Sequence, residues 1–230
     1  MLISLGTSAA TFDKDTFRTK SGKKIVITFI KHGTLGLRYD NKTYEIDPVS
    51  MYADYTKFPK ADYILVTHEH ADHLDAKAID SLTKNNTQLI INGSSAEKIG
   101  KGEIMKNGDT RKLADKVTIE AVPAYNTTPG REKFHPRHRD NGYVLTIDGF
   151  RIYIAGDTED IPEMKNLKNI DVAFLPVNQP YTMTVEQAAT AARMFSPKVL
   201  YPYHYGDTKI EGLKDALKGS GIDVRIRQMQ

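Results

Sequence analysis

The sequence contains no cysteine, so disulfide bonds and thiolate metal ligands are excluded, and any metal must be held by histidine, aspartate or glutamate. It also lacks a strong excess of charge: the net charge is +3, which does not by itself favour nucleic acid or a membrane surface as a partner. No run of residues is apolar over the length of a transmembrane helix, so we expect a soluble protein. The 230 residues, 40% of them apolar, suffice for one sizeable domain with its own core.

Histidine is scarce as well, with seven in the chain, yet three of the seven fall within residues 68–73. His68 and His70 are two positions apart after an apolar strand, so both side chains can reach one ion from the same side. Asp72 and His73 follow a bend and would face a second position beside the first. Imidazole nitrogens and carboxylate oxygens suit borderline divalent metals. A polar surface loop is the alternative, but His-x-His-x-Asp-His is far more specific than a lone His-x-His and predicts two neighbouring metal ions.

The motif and its place after an early strand resemble the metallo-β-lactamase superfamily, whose signature is read here as His68, His70, Asp72 and His73. The resemblance implies an α/β fold, the αββα sandwich of that superfamily with its four layers, and metals at one edge of the sheets. The hydrophobic pattern alone predicts only a mixture of helices and strands. We expect two divalent ions, zinc in the first place, although the same ligands would accept manganese or iron.

The resemblance implies two more ligands later in the chain. Asp157 ends a strand in a Gly-Asp pair, where the superfamily has an aspartate that bridges both metals. His204 follows a buried strand near the C-terminus and matches the final ligand, which binds the second metal beside Asp72 and His73. Taken alone, Asp157 would be interpreted as a turn residue and His204 as a histidine packed among aromatic rings.

One ligand of the superfamily pattern is missing from its usual position. Relatives present the third histidine of the first metal site after the strand that ends near residue 124, and here the residues are Tyr125 and Asn126. His135 and His138 are the candidate replacements, and His32 is a more distant one. We favour His135, because the phenylalanine and proline that flank it restrict its movement. Alternatively, His135 is only a loop residue and the first metal is weakly held. Tyr125 and Asn126 themselves would lie behind the ligands or against the substrate.

Other polar residues are predicted near the metals. His32 and Asp47 could form a hydrogen-bonded pair that orients the ligands, or each could simply hold its own turn. Asn178 and Tyr181 follow a buried strand, where they would contact substrate or cap the loop. Four cations in the loop around His135 would favour an anionic small-molecule substrate, although a solvated basic loop is the ordinary interpretation. These cations are Arg131, Lys133, Arg137 and Arg139.

The first twenty residues are predicted to precede the metal-binding domain, which would occupy residues 21–230. Residues 1–10 are uncharged and end in small side chains, as in the remnant of an export signal, although a plain strand fits equally well. Asp13 to Lys24 is interpreted as a polar spacer. A signal would place the protein in the periplasm or outside the cell, and its absence would place the protein in the cytoplasm.

The predicted activity is that of a metal-dependent hydrolase, in which two metals share a hydroxide that attacks a lactone, an ester or a phosphodiester. Asp72 would orient the hydroxide or pass a proton to the leaving group. The chain looks most like the small hydrolases of the ascorbate-6-phosphate lactonase-like branch. A metal- or ligand-binding protein on a degenerate scaffold is one alternative, supported by the missing histidine. A tRNA-processing nuclease is another, disfavoured by the low net charge.

Overall fold

The computed structural model describes residues 12–230, which form two seven-stranded sheets. The strands of the first sheet are adjacent in chain order. They are β1 (Asp13–Arg18), β2 (Lys24–Lys31), β3 (Thr34–Tyr39), β4 (Lys42–Ile46), β5 (Tyr63–Leu65), β6 (Gln88–Ile91) and β7 (Glu103–Ile104).

The second sheet has the same arrangement. Its strands are β8 (Thr110–Ala114), β9 (Val117–Ala124), β10 (Asp140–Ile147), β11 (Phe150–Ile154), β12 (Val172–Pro176), β13 (Val199–Tyr203) and β14 (Asp223–Val224). In each sheet the first four strands pair antiparallel and the remaining pairs are parallel. Parallel strands all end at the same edge of a sheet, so the loops after β5 and β13 and the strand end of β11 bring their side chains to one place.

The main core lies between the two sheets. The two-residue period of a strand is visible in β5, where Tyr63 and Leu65 join this core while Ile64 faces the opposite way. Buried on both faces, β5 is therefore apolar throughout rather than alternating.

Helices cover the outer faces of both sheets. The apolar residues of α1 (Ala76–Leu82) and α2 (Gly93–Ile99) pack with Ile64 on the outer face of the first sheet. On the second sheet, α3 (Val185–Phe195) places Phe195 against Tyr153, and α4 (Gly212–Ala216) packs on α3. The result is the αββα sandwich that the resemblance implies, so the predicted fold is confirmed.

Local sequence signals account for several element boundaries. Thr184 and Gln187 form a capping box at the start of α3, each side chain bonding the other residue's backbone N–H. The Asp148-Gly149 turn joins β10 to β11, and both residues have positive φ. Two short 3₁₀ helices span Tyr55–Lys57 and Pro162–Asn166.

The interpretation of Asp13 to Lys24 as a spacer is wrong, because β1 occupies half of that range and pairs antiparallel with β2. The strand is polar because it is an edge strand with exposed positions, and its stability comes from distant contacts. The carboxylate of Asp15 accepts hydrogen bonds from Tyr201 and Arg227 near the other end of the chain. The predicted signal remnant at residues 1–10 lies outside the described residues. Within residues 12–230, none of the helices has the length and apolar character required to cross a membrane.

Candidate metal centre

The loop after β5 is held by one carboxylate, that of Asp47 at the end of β4. Asp47 Oδ1 accepts the backbone N–H of Thr67 at 2.8 Å, and Oδ2 accepts the Thr67 hydroxyl at 2.6 Å. Oδ2 also accepts His73 Nδ1–H at 2.8 Å, so both ends of the loop are tied to the same group. The N–H groups of His73 and Leu74 donate to the carbonyl of His70, which forms the predicted bend.

The structure gathers eight side chains into two adjacent groups. Within each group, one potential ligand atom from every residue lies within 4.8 Å of the others. The first group contains His68, His70, His135 and Asp157, and the second contains His32, Asp72, His73 and His204.

Asp157 lies between the two groups. Its Oδ2 is 3.3 Å from His135 Nε2 and 3.8 Å from His68 Nε2 in the first group. The same oxygen is 3.2 Å from His204 Nε2, and Oδ1 is 3.5 Å from His73 Nε2, in the second group. One carboxylate therefore reaches imidazoles of both groups, at the position where the resemblance implies a shared aspartate.

The hydrogen bonding of the imidazoles fits metal ions in these positions. The Nδ1 atoms of His68, His73 and His135 are bonded to Thr67 Oγ1, Asp47 Oδ2 and Tyr181 O, at 3.0, 2.8 and 3.1 Å. Their Nε2 atoms are buried without a hydrogen-bond partner among the described residues, and so are His204 Nε2 and Asp157 Oδ1. Buried polar atoms without partners are rare in proteins. Histidines that bind a metal through one ring nitrogen and a protein acceptor through the other show this arrangement.

The electrostatics of the groups follow from burial and from mutual contact. Burial, together with the neighbouring His135, lowers the pKa of His70 to about 4, so this ring is in the neutral form that binds metals. Burial would raise the pKa of the Asp157 carboxyl, but His204, His73 and the hydrogen bond to His135 hold it well below its usual range. The shared carboxylate is therefore charged at neutral pH.

His135 reaches the centre because the loop from 126 to 135 folds back on itself. The Asn126 N–H donates to the His135 carbonyl at 2.9 Å, so His135 lies beside the position at which the resemblance implies the third histidine. Its ring is buried and its Nδ1–H donates to the carbonyl of Tyr181. Among the described residues, His138 is exposed and belongs to neither group.

The other predicted neighbours of the metals hold this loop in place. Asn126 is buried and donates to the Tyr181 carbonyl at 2.8 Å, beside the bond from His135. The hydroxyl of Tyr125 donates to Glu163 at 2.8 Å. Tyr181 contributes through its carbonyl and is 45% exposed as a residue, and the Asn178 N–H donates to Thr182. These contacts place Tyr125 and Asn126 behind the ligand group.

The predicted pairing of His32 with Asp47 is wrong. His32 Nε2 lies 3.1 Å from Asp72 Oδ2, and its ring centroid is 3.7 Å from that of His204. Asp47 contacts His73 instead. The hairpin turn between β2 and β3 gives His32 a φ of 55°, which directs its backbone away from the strand path, so spacing could not predict which carboxylate the ring would meet.

Tyr52 is a residue at the centre that sequence reasoning missed. Its ring centroid lies 5.6 Å from that of His32. Burial and the charges of Asp72 and Asp157 raise its pKa to about 12, so the phenol stays protonated and can donate a hydrogen bond. It lies in the irregular segment after β4, where no motif marks it.

The basic loop does not present its cations to the centre as free charges. Arg131 Nη1 is 3.7 Å from Glu159, Arg137 Nη2 is 2.8 Å from Glu163, and Arg139 Nε is 2.7 Å from Asp140. Of the four cations, Lys133 has no ion pair among the described residues. The anionic substrate therefore stays a prediction without support from these arginines.

Comparison with known proteins agrees with this geometry. The family model of the beta-lactamase superfamily domain matches residues 26–204. The chain belongs to the metallo-β-lactamase superfamily. A UPF0173 metal-dependent hydrolase of Archaeoglobus fulgidus is 30% identical over 182 residues, which are 73% of this chain and 78% of that relative. The corresponding protein of Ligilactobacillus salivarius is 33% identical over 191 residues, with 78% and 84% covered.

Solved structures of the superfamily share the sandwich. A candidate metal-dependent hydrolase from Parabacteroides distasonis is 71% identical, with a TM-score of 0.94, over 96% of this chain and 100% of that one. Igni18 from Ignicoccus hospitalis, described as a metallo hydrolase, has 24% identity and a TM-score of 0.73 over 88% and 94% of the two chains, and it supports the fold alone. Within the superfamily the chain belongs to the UPF0173 metal-dependent hydrolases, while the lactonase-like branch stays a prediction.

Proposed function

We propose that this member of the superfamily is a hydrolase that uses two divalent metal ions. The observation that carries the proposal is the position of Asp157 between two groups of buried imidazoles. In the part of the chain that the structure describes, four of their Nε2 atoms have no hydrogen-bond partner, those of His68, His73, His135 and His204. His68, His70 and His135 would hold one ion, and Asp72, His73 and His204 the other, with Asp157 shared. Asp47, Thr67 and the Tyr181 carbonyl would fix the tautomers of the imidazoles from behind.

When bound, the two ions would lower the pKa of a water and polarise the carbonyl or phosphoryl group of the substrate. The chain's own residues have distinct tasks around them. Asp72 has a side chain that is 38% exposed, whereas that of Asp157 is 3% exposed. Asp72 would therefore orient the attacking water and transfer its proton toward the leaving group, with His32 holding the carboxylate at 3.1 Å. The buried Asp157 would keep the two groups together.

The proposed substrates are small molecules that contain a lactone, an ester or a phosphodiester. Zinc is the first metal to test, and manganese and iron are compatible with imidazole and carboxylate ligands. The alternative, a binding protein without activity on a degenerate scaffold, was supported mainly by the absence of a histidine at Tyr125 and Asn126. The position of His135 in the first group weakens that alternative. A nuclease is disfavoured by the net charge of +3.

Metal content per chain tests the proposal most directly. We expect two metals in the wild type and about one in His135→Ala, because that substitution removes an imidazole from the first group alone. A panel of lactones, carboxylic esters and phosphodiesters should then yield turnover with the wild type that depends on added metal. His138→Ala is the matched control, since that histidine is exposed and should leave both values unchanged. One metal or none in the wild type, unaffected by His135→Ala, would favour the degenerate scaffold.

A further inference from the structure

The segment Asp157-Thr158-Glu159 contacts the loop that carries His135 through three consecutive residues. Asp157 Oδ2 meets His135 Nε2 at 3.3 Å. Thr158 Oγ1 accepts the Tyr125 N–H at 3.1 Å, and the Glu159 N–H donates to the Tyr125 carbonyl at 3.0 Å. The segment that supplies the shared carboxylate therefore also holds the base of the loop.

Glu159 makes the strongest of these attachments. Its side chain is fully buried, and Oε2 accepts the Thr127 N–H at 2.8 Å, the Thr127 hydroxyl at 3.0 Å and the Thr128 N–H at 2.6 Å. Arg131 Nη1 lies 3.7 Å from Oε1. Hydrogen bonds from backbone N–H groups to a charged carboxylate are stronger than bonds between neutral groups. They fix the direction in which the chain leaves β9.

The loop needs such an attachment because it is long and largely exposed. Between Thr127 and Arg139 it consists of turns, and most of its side chains reach solvent, whereas the ring of His135 is buried. A metal ligand on a loop is positioned accurately only when its surroundings restrict the loop. The bond from the Asn126 N–H to the His135 carbonyl holds His135 next to the end of β9. Glu159 holds the start of the loop through the N–H groups of Thr127 and Thr128.

We propose that Glu159 is a positioning residue for His135: it holds Thr127 and Thr128, and thereby keeps His135 Nε2 in the first metal group. This inference rests on the proposed function, because it requires a metal to be held by His68, His70 and His135. It also explains how a histidine well beyond the end of β9 can reach the first group, since the segment Asp157-Thr158-Glu159 binds the intervening loop.

The affinity for Zn²⁺ provides the test, measured for each of the two ions by competition with a chelator. Glu159→Ala should weaken the first ion about 10- to 100-fold, the range found when partners behind metal ligands are removed. Glu159→Gln keeps an acceptor for the Thr127 N–H but loses the charge, so its affinity should lie between those of the wild type and Glu159→Ala. The second ion should be held as in the wild type.

Glu163→Gln is the matched control. Glu163 also contacts this loop, but through the Tyr125 hydroxyl and the exposed side chain of Arg137. We expect its Zn²⁺ affinities to stay within about twofold of the wild type. Spectra of the Co²⁺-substituted proteins separate positioning from stability, because displacement of His135 changes the absorption bands of the first ion, whereas a loss of stability alone leaves those of the folded protein unchanged.

The outcomes distinguish the inference from the proposed function. If the wild type binds fewer than two ions, or His135→Ala loses none, the proposed function fails and the inference fails with it. If His135→Ala loses one ion while Glu159→Ala and Glu159→Gln match the wild type in both affinities and in the Co²⁺ spectrum, only the inference is overturned. Should Glu159→Ala not fold, as thermal unfolding of the metal-free protein would reveal, Glu159→Gln decides by the same criteria.

Discussion

His135 Nε2 lies 3.3 Å from Asp157 Oδ2, although the histidine lies in the loop between β9 and β10 and the aspartate follows β11. The same aspartate contacts imidazoles of the second group. Its negative charge is therefore positioned to offset the charges of two cations, and removing it affects both positions at once.

We expect Asp157→Asn to lower the affinity for both metal ions and to reduce hydrolysis on the order of 100-fold or more, because a neutral amide cannot balance two cations. Elemental analysis and kcat/KM with metal in excess measure the two effects. Asp160→Asn is the control, since Asp160 accepts a hydrogen bond from Gln187 and belongs to neither group. Loss of one ion with full retention of the other would contradict the shared role.

The centre was largely predictable from the sequence because its main motif is contiguous. Residues 68–73 carry the resemblance to the superfamily. Asp157 and His204 are weak signals individually, and only this resemblance predicts that they are metal ligands. The structure brings all of the proposed ligands together, His135 included. The choice of His135 over His138 depended on flanking residues. The position of His135 next to His68 depends on how the loop folds back, which no local pattern encodes.

The features that the sequence did not reveal depend on contacts between distant segments. The side chains of β1 are polar and exposed, so the sequence shows no strand pattern there. The segment nevertheless pairs with β2, and the Asp15 carboxylate accepts a hydrogen bond from Arg227. His32 meets Asp72 across a hairpin turn, and Tyr52 reaches the centre from an irregular segment. Residue type and spacing describe local geometry, whereas these contacts depend on which strands pair in the first sheet and on how the loops between them meet.

The hydroxyl of Tyr52 is expected to assist the reaction through a hydrogen bond to the substrate. Tyr52→Phe removes only that hydroxyl and should lower kcat/KM about 10-fold with unchanged metal content, because the ring keeps its place beside His32. Steady-state kinetics and elemental analysis on the same preparation test this. Tyr181→Phe is the control, because Tyr181 contacts the centre through its carbonyl. Equal kinetics for Tyr52→Phe and the wild type would exclude the hydroxyl from the reaction.

Gly33 allows His73 to occupy its position. A Cβ at Gly33 would lie 2.5 Å from His73 Cε1 and 3.0 Å from its Nδ1, and His73 is fully buried with Nδ1 bonded to Asp47. Gly33→Ala should therefore displace His73 and weaken the second metal ion on the order of 10-fold or more. Metal titration measures the effect. Gly93→Ala is the control, because a Cβ there meets nothing within 4 Å. Unchanged affinity for both ions in Gly33→Ala would show that the ring is not confined as the contact implies.

Glu45 makes stability depend on pH independently of the metal centre. The carboxyl is buried in β4, its Oε2 has no hydrogen-bond partner among the described residues, and burial raises its pKa from 4.5 to about 8, with Arg38 opposing. Between these two values the folded protein holds a proton that the unfolded chain releases. The free energy of unfolding contributed by Glu45 therefore falls as pH rises from about 4.5 to 8 and levels off above it.

Glu45→Gln removes this dependence, because the amide stays neutral at every pH. We expect the variant to gain stability over the wild type as pH rises, reaching on the order of 4 kcal/mol at pH 8, with little difference near pH 4.5. Urea unfolding at a series of pH values measures the difference in free energy of unfolding between the two proteins. Titration of the metal centre is common to both proteins and does not contribute to this difference. Glu97→Gln, an exposed substitution on α2, should give a difference that does not change with pH. If the difference in free energy of unfolding between Glu45→Gln and the wild type also stays constant with pH, the Glu45 carboxyl contacts a hydrogen-bond partner or solvent and has an ordinary pKa.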